Sequence, residues 1–257
     1  MTNTDIIAVI GAAAWIPQIF ALIYQFLTRP LVHILPDKKA SVGFTGFGPI
    51  FNLRMAFAVD RKDAVLDGVF VEMTHEDGSK LRLDWFGTIE TFSHIVGPEG
   101  IRQTVERESP PIAMKLSTFG LHDKFVRFQS RSYHDGKKPL ENAFFSHLNF
   151  LKTKGGDCLG AAMESREAAE LSNYYRRSFC WKAGRYDLKF GVSSPGRVGV
   201  RVRKSSFVLS QADVDGLVLN VGFVTKDFEI YAGHLAKEPR EGQVPWEWRE
   251  VALANGD

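Results

Sequence analysis

Cysteine is scarce in this chain: Cys158 and Cys180 are the only two among 257 residues. One pair is too few for a disulfide scaffold, and both thiols read as reduced and buried. An excess of one charge sign is missing as well. Thirty-two Lys and Arg stand against thirty Asp and Glu, a formal net charge of +2. That balance excludes a strongly polyanion-binding chain on composition alone, and no nucleic-acid partner is expected. Internal repeats, low-complexity tracts and long disordered linkers are absent. So are the motifs that announce chemistry: no G-x-G-x-x-G after a strand, no Walker loop, no G-x-S-x-G, no H-E-x-x-H and no C-x-x-C. His122-Asp123 and His134-Asp135 are adjacent in sequence, which on a strand sends the two side chains to opposite faces. An acid–base pair needs converging groups, so both pairs read as solvated loop residues. The cysteines have no ligand-like spacing to His, and neither a metal nor a cofactor is expected.

What the chain does possess is a run from Ile6 to Leu27, 22 residues without Asp, Glu, Lys, Arg or His. As a helix it measures roughly 33 Å at about 1.5 Å per residue, enough for a hydrocarbon core of about 30 Å. The expectation is a single transmembrane anchor over residues 1–28, with the lipid bilayer as partner. A cleaved signal is disfavoured because Met1 to Asp5 carry no basic side chain and the apolar run exceeds a usual signal core. A buried helix of a soluble domain is the competing reading, and Pro17, Gln18 and Gln25 favour it. Pro17 removes a backbone donor and kinks the helix. Gln18 and Gln25, seven residues apart, either bond across to a neighbouring helix or are tolerated on a lone anchor. Arg29, Lys38 and Lys39 follow the run while Asp5 precedes it, so the positive-inside rule places the C-terminal domain in the cytoplasm.

Beyond a connector at 29–40, about 220 residues remain, enough for one large domain or two small ones and enough to bury a real core. Residues 41–237 read as a β domain and 238–257 as a charged, Pro-bearing tail docked by Trp246 and Trp248. From Ile50 to Asp60, Phe51, Leu53, Met55, Phe57 and Val59 share one parity, opposite Asn52, Arg54, Ala56 and Ala58. That period of two gives one inward face and one wet face. Val65, Val69, Val71 and Met73 repeat the pattern. The turn signal His75 to Ser79 around Asp77-Gly78 then leads to Leu81, Leu83 and Trp85. Ile112, Met114 and Leu116 supply another strand, and Lys124 to Ser130 one more. Gly87 to Pro110 reads as a polar excursion. Pro139 is expected to open a short helix carrying Phe144, Phe145, Leu148 and Leu151, and a second spans Met163 to Arg177. Ser210-Gln211-Ala212-Asp213 reads as a helix start of capping-box type.

Trp181-Lys182-Ala183-Gly184-Arg185-Tyr186 sets a Gly turn before Tyr186, Leu188 and Phe190, which alternate with Arg185, Asp187 and Lys189. This pattern resembles the approach to a late strand of immunoglobulin-like sandwiches, where a Tyr hydrogen-bonds back to the chain. It covers about ten residues and lacks the paired cysteines of antibody domains, so it bears on architecture only. The fold class expected is mainly β: an antiparallel immunoglobulin-like β-sandwich with short helical insertions behind the anchor.

Two features read as binding surfaces. Arg197, Arg201 and Arg203 share a parity opposite Val198, Val200 and Val202, with Lys204 beside them. The first reading is an edge strand guarded by positive charge; the second is a surface for anionic headgroups or a protein partner. Phe44 to Pro49 forms an aromatic–glycine entry to the first core strand, read as a bend packing Phe44 and Phe47 inward rather than as a ligand cleft. The functional expectation is a non-enzymatic, single-pass membrane protein whose cytoplasmic sandwich binds a protein partner or assembles with copies of itself. Its alternative is a ligand-gated membrane effector or sensor whose soluble domain controls helix assembly and permeability. A membrane-tethered hydrolase around Asp84, Glu90 and His94 ranks third.

Overall fold

The computed structural model describes the backbone of residues 3–96, 102–238, 240 and 242–255, and the side chains of these apart from 3–12, 25–26, 90–96, 102–107 and 255. The chain opens with helix α1 (Asn3–Leu27), which contains Pro17. Among the described residues no helix is long and apolar enough to cross a membrane. Within α1, Pro17 removes a backbone donor and Gln18 sets a polar amide beside it, which breaks the apolar run near its middle. The expected single-pass anchor and membrane location are therefore corrected. The cytoplasmic orientation drawn from Arg29, Lys38 and Lys39 loses its premise with them.

Residues read as a connector join the first strand, β1 (Leu31–Thr45), which turns into β2 (Gly48–Asp60). Pro36 survives in β1 because the register with β2 shifts between Pro36 and Ala40, where a missing amide leaves no gap in the ladder. In β2 the alternation holds: Phe51, Leu53, Met55, Phe57 and Val59 are all buried, and Arg54 is exposed. Asn52 departs from the wet face, being buried with its amide oxygen accepting from Arg127 Nε at 3.4 Å. There follow β3 (Ala64–Leu66), β4 (Gly68–His75), β5 (Lys80–Val96), β6 (Arg102–Ser109), β7 (Met114–Leu116) and β8 (His122–Gln129). Within the polar excursion β5 and β6 pair antiparallel, and residues 97–101, with the Gly97-Pro98-Glu99-Gly100 sequence, lie outside the described residues.

Three helices come next: α2 (Arg131–Lys152), α3 (Cys158–Met163) and α4 (Arg166–Ser178). Pro139 lies inside α2 instead of opening it. The helix starts two turns earlier because the Ser130 hydroxyl accepts the Tyr133 amide, and Tyr133 is buried. The chain closes with β9 (Gly184–Ser193), β10 (Gly199–Val202), β11 (Ser205–Leu209), α5 (Gln211–Ala236), β12 (Trp248–Ala252) and β13 (Ala254–Asn255). α5 carries the expected capping box, Ser210 and Asp213 each bonding the other's backbone.

The sandwich is a second correction. Eleven strands form one sheet in the order β10-β1-β2-β8-β5-β4-β9-β11-β13, with β12 on β1 and β6 on β5, while β3 and β7 pair separately. The sheet curls into a half-barrel rather than splitting into two facing layers. Long strands make this possible. β5 pairs with β4 along its first half and with β8 and β6 further on, and its register shifts at Trp85/Gly87 and Thr91/Ser93. Such bulges bend a strand and increase its twist. The C-terminal segment then touches both ends of the sheet, β12 antiparallel to β1 and β13 antiparallel to β11. The Tyr186 hydroxyl does accept the Lys182 amide at 2.7 Å and donate to its carbonyl at 3.1 Å. The local corner exists, but in a curled sheet and not in an immunoglobulin-like sandwich.

One core serves strands and helices together: Phe51, Phe128 and Phe207 from the sheet join Phe144, Tyr175 and Phe228 from α2, α4 and α5. Two glycines permit close approaches. Gly48, at φ +81°, lies under the Tyr133 ring, and a Cβ there would sit 2.5 Å from it. Gly43 faces the Trp248 ring at 2.4 Å from such a Cβ, and its carbonyl accepts from Trp181 Nε1 at 2.9 Å.

Candidate functional site

On β9 the side chains of Arg185, Asp187 and Lys189 leave the face opposite Tyr186, Leu188 and Phe190. Strand register sets Thr74 of β4 on one side of Asp187 and Ser206 of β11 on the other. The Arg203-Lys204 link between β10 and β11 bounds the same space. The result is a cleft of about 510 Å³ lined by four cations (Arg185, Lys189, Arg203, Lys204), one carboxylate (Asp187) and three hydroxyl residues (Thr74, Ser205, Ser206).

The cations are not equivalent. Arg185 Nε holds Asp187 Oδ1 at 3.0 Å, and Lys189 Nζ lies 3.6 Å from Glu72 Oε2. Arg203 and Lys204 are exposed, and their charged groups make no hydrogen bond or ion pair among the described residues. Chemically, the cleft offers positive charge and hydroxyl donors to an anion, in a volume suited to a small molecule.

The basic stripe expected from sequence is divided by the fold. Only Arg201 lies within β10, exposed and in register with His33 of β1. Arg197 precedes the strand, Arg203 and Lys204 follow it, and only these last two reach the cleft. β10 ends the sheet order, so Arg201 does occupy an edge. Sequence reading missed Thr74, Arg185 and Lys189: the basic residues looked like the wet face of a strand, and only register brings Thr74 beside Asp187.

The other candidates separate. Of the aromatic–glycine entry, Phe44 is buried and Phe47 is half exposed. Near Phe47, Lys137 Nζ donates to the Gly46 carbonyl at 2.8 Å and pairs with Glu141 at 3.1 Å. Lys137 is thus a brace between α2 and the β1–β2 turn. Beside it the Tyr133 hydroxyl is buried without a hydrogen-bond partner among the described residues, and burial pushes its pKa well above the usual phenol range. Burial also raises Asp227 above the usual carboxylate range, with Lys137 opposing.

Neither His–Asp neighbour pair converges. Asp123 is bonded to Arg54 Nε at 2.9 Å, while His122 Nε2 accepts from the Ser117 amide at 3.4 Å. His134 shares a 2.9 Å hydrogen bond with Gln129 and stacks on Phe86 at 4.8 Å, and burial lowers its pKa. Asp84 binds Arg82 at 3.2 Å; the side chains of Glu90 and His94 lie outside the described residues. Both cysteines are free, and burial pushes the Cys180 thiol up to about 12. Among the described residues no three His, Cys, Asp or Glu gather as metal ligands.

The second exposed feature is α1. Trp15, Ile16, Ile19, Phe20, Leu22, Ile23, Tyr24 and Leu27 are each between 46% and 75% exposed. At about 100° per residue they fill an arc of roughly 200° on the helix. Ala14, Pro17, Gln18 and Ala21 occupy the remainder. Gln18 is exposed on that small-residue side, and the side chain of Gln25 lies outside the described residues.

Compared with known families, curated proteins and solved structures, the chain matches none.

Proposed function

We propose that this chain is an interaction protein that assembles with further copies of itself through α1, the curled β domain being the body it carries. One observation supports the reading above the rest: eight large apolar side chains on one helix stand in solvent, and no described residue of α1 belongs to the core. Leaving such area in water costs about 25 cal/mol per Å², and continuous apolar patches of this kind mark association surfaces.

A second copy is favoured over an unrelated partner by charge and spacing. From Ile6 to Leu27 there is no ionisable acid or base apart from Tyr24, so this run of α1 has nothing with which to recognise a charged surface. Ile16, Ile19 and Ile23 recur at intervals of three and four, the spacing of a self-complementary helix seam. An arc of roughly 200° exceeds what one neighbouring helix covers, which favours a bundle of several α1 helices over a simple pair. Gln18 lies off that seam and serves the wet side of the bundle.

The test is the mass of the full chain by sedimentation equilibrium in detergent-free buffer, beside the triple variant Ile16→Ser, Ile19→Ser, Ile23→Ser. The expected result is a discrete oligomer that the triple variant converts to monomer without loss of β-sheet circular dichroism. A monomeric wild-type chain, or an oligomer unaffected by the three changes, would overturn the reading.

A further inference from the structure

We infer that the cleft between β9 and the β10–β11 link is a binding site for a phosphate group, a role independent of assembly through α1.

Four cations face one carboxylate, so the lining is strongly positive although the whole chain is nearly neutral. Charge of one sign concentrated in a concave site focuses the field where counter-ions enter. Composition hides this, because the basic residues come from separate stretches of the chain.

The two halves of the cleft have different tasks. Arg185 and Lys189 each lie beside a carboxylate, Asp187 and Glu72, in exposed ion pairs that an incoming anion can displace. Arg203 and Lys204 have no such partner among the described residues and can turn onto an incoming anion. Arg203 can offer two parallel N–H donors to two phosphate oxygens, and Lys204 adds a point charge. Thr74 and Ser206, in register with Asp187, supply neutral donors along the floor, and Ser206 is buried, so a bound oxygen there would be shielded from water. Asp187 disfavours a ligand negative on every side and suits one with a hydroxyl beside its phosphate. The volume of about 510 Å³ is larger than inorganic phosphate needs, which points to a phosphate carried on a larger molecule.

Such a group comes either from a soluble phosphate ester or from a phospholipid headgroup, and the chemistry of recognition is shared. The two arms of the experiment separate the sources. In one, inorganic pyrophosphate is titrated into the full-length protein by calorimetry; in the other, the protein is floated with phosphatidylcholine vesicles containing phosphatidic acid. Each is repeated on the double variant Arg203→Gln, Lys204→Gln and on a control, Arg197→Gln, Arg201→Gln, whose residues lie outside the cleft. All four side chains are exposed, and melting curves check that both variants fold.

Binding in either arm that weakens about tenfold or more in the first variant, and stays within about twofold in the control, supports the cleft. Pyrophosphate binding identifies a soluble ester as the source; vesicle binding alone identifies a headgroup. No binding by the wild type in either arm overturns the site. Equal losses in the two variants, or a loss confined to the control, also overturn it, assigning any attraction to the diffuse charge of the β10 edge.

Discussion

The two longest helices, α1 with 25 residues and α5 with 26, show how differently one chain can support the same element. α5 is closed at its N-terminus by the Ser210–Asp213 box and turned out at its C-terminus by Lys237 in the left-handed region, at φ 64°. It buries Val214, Leu217, Asn220, Val224, Phe228 and Ala232 along one stripe against β1 and β12. α1 has no basic residue in its last turn and contributes nothing described to the core. Its apolar arc is about twice the width of a core-facing stripe. Helix stability in proteins comes mostly from packing of such a face. α5 finds that packing within its own chain, and α1 must find it elsewhere.

The largest effect expected from breaking this contrast falls on α5. Phe228 is buried and edge-on to Phe144 at 4.9 Å, so Phe228→Ala should cost about 3–5 kcal/mol in urea unfolding. The matching change in α1, Ile19→Ala, should leave unfolding of the β domain within about 0.5 kcal/mol. Equal losses at the two sites would show that α1 packs on the domain after all.

A smaller effect concerns how α5 holds the C-terminal segment. Asn220 is fully buried, its amide donating to the Glu247 carbonyl at 2.7 Å and accepting the Glu247 amide at 2.8 Å. Asn220→Ala leaves both backbone groups without those partners and should cost about 2 kcal/mol. It should also raise amide exchange in β12, since Trp248 is docked on Gly43 by the same segment. Unchanged exchange there would mean that β1 alone retains the strand.

The smallest is a pH effect on the same helix. Burial raises the Asp227 pKa above its ordinary 3.8, Lys137 partly offsetting it. A carboxyl raised in the folded state favours folding while protonated and loses that advantage as pH rises through the folded value. Asp227→Asn should therefore raise the melting temperature at pH 7, and the gain should vanish as pH falls below about 3.8. A loss at pH 7 would instead make the Lys137 attraction the dominant influence on Asp227.

These contrasts also mark what the sequence could convey. Alternation along β2 named its buried residues because a strand's period of two is local. The Ser210–Asp213 cap was equally legible, resting on residues three apart. Pairing is not local: alternation tells which face is inward but not whether strands split into two layers or curl as one, and here bulges in β1 and β5 decide. Pro139 misled because proline favours the first turn of a helix only as a tendency; here the Ser130 cap starts α2 earlier and Pro139 lies inside it, where it cannot donate to the Asp135 carbonyl. At the cleft, Arg203 and Lys204 were visible as basic residues, whereas their placement opposite Arg185, Lys189 and Thr74 follows from the β4–β9–β11 register. For α1, a lack of charge was visible at once, but hydropathy alone does not say what covers an apolar helix.

The most direct test of that last point is hydrogen exchange of the α1 amides measured across a hundredfold range of protein concentration. If α1 is held by other copies, its amides are protected at high concentration and exchange freely on dilution, while those of α5 stay protected throughout. Protection of α1 that does not change with concentration would contradict the account and place its covering surface within the single chain.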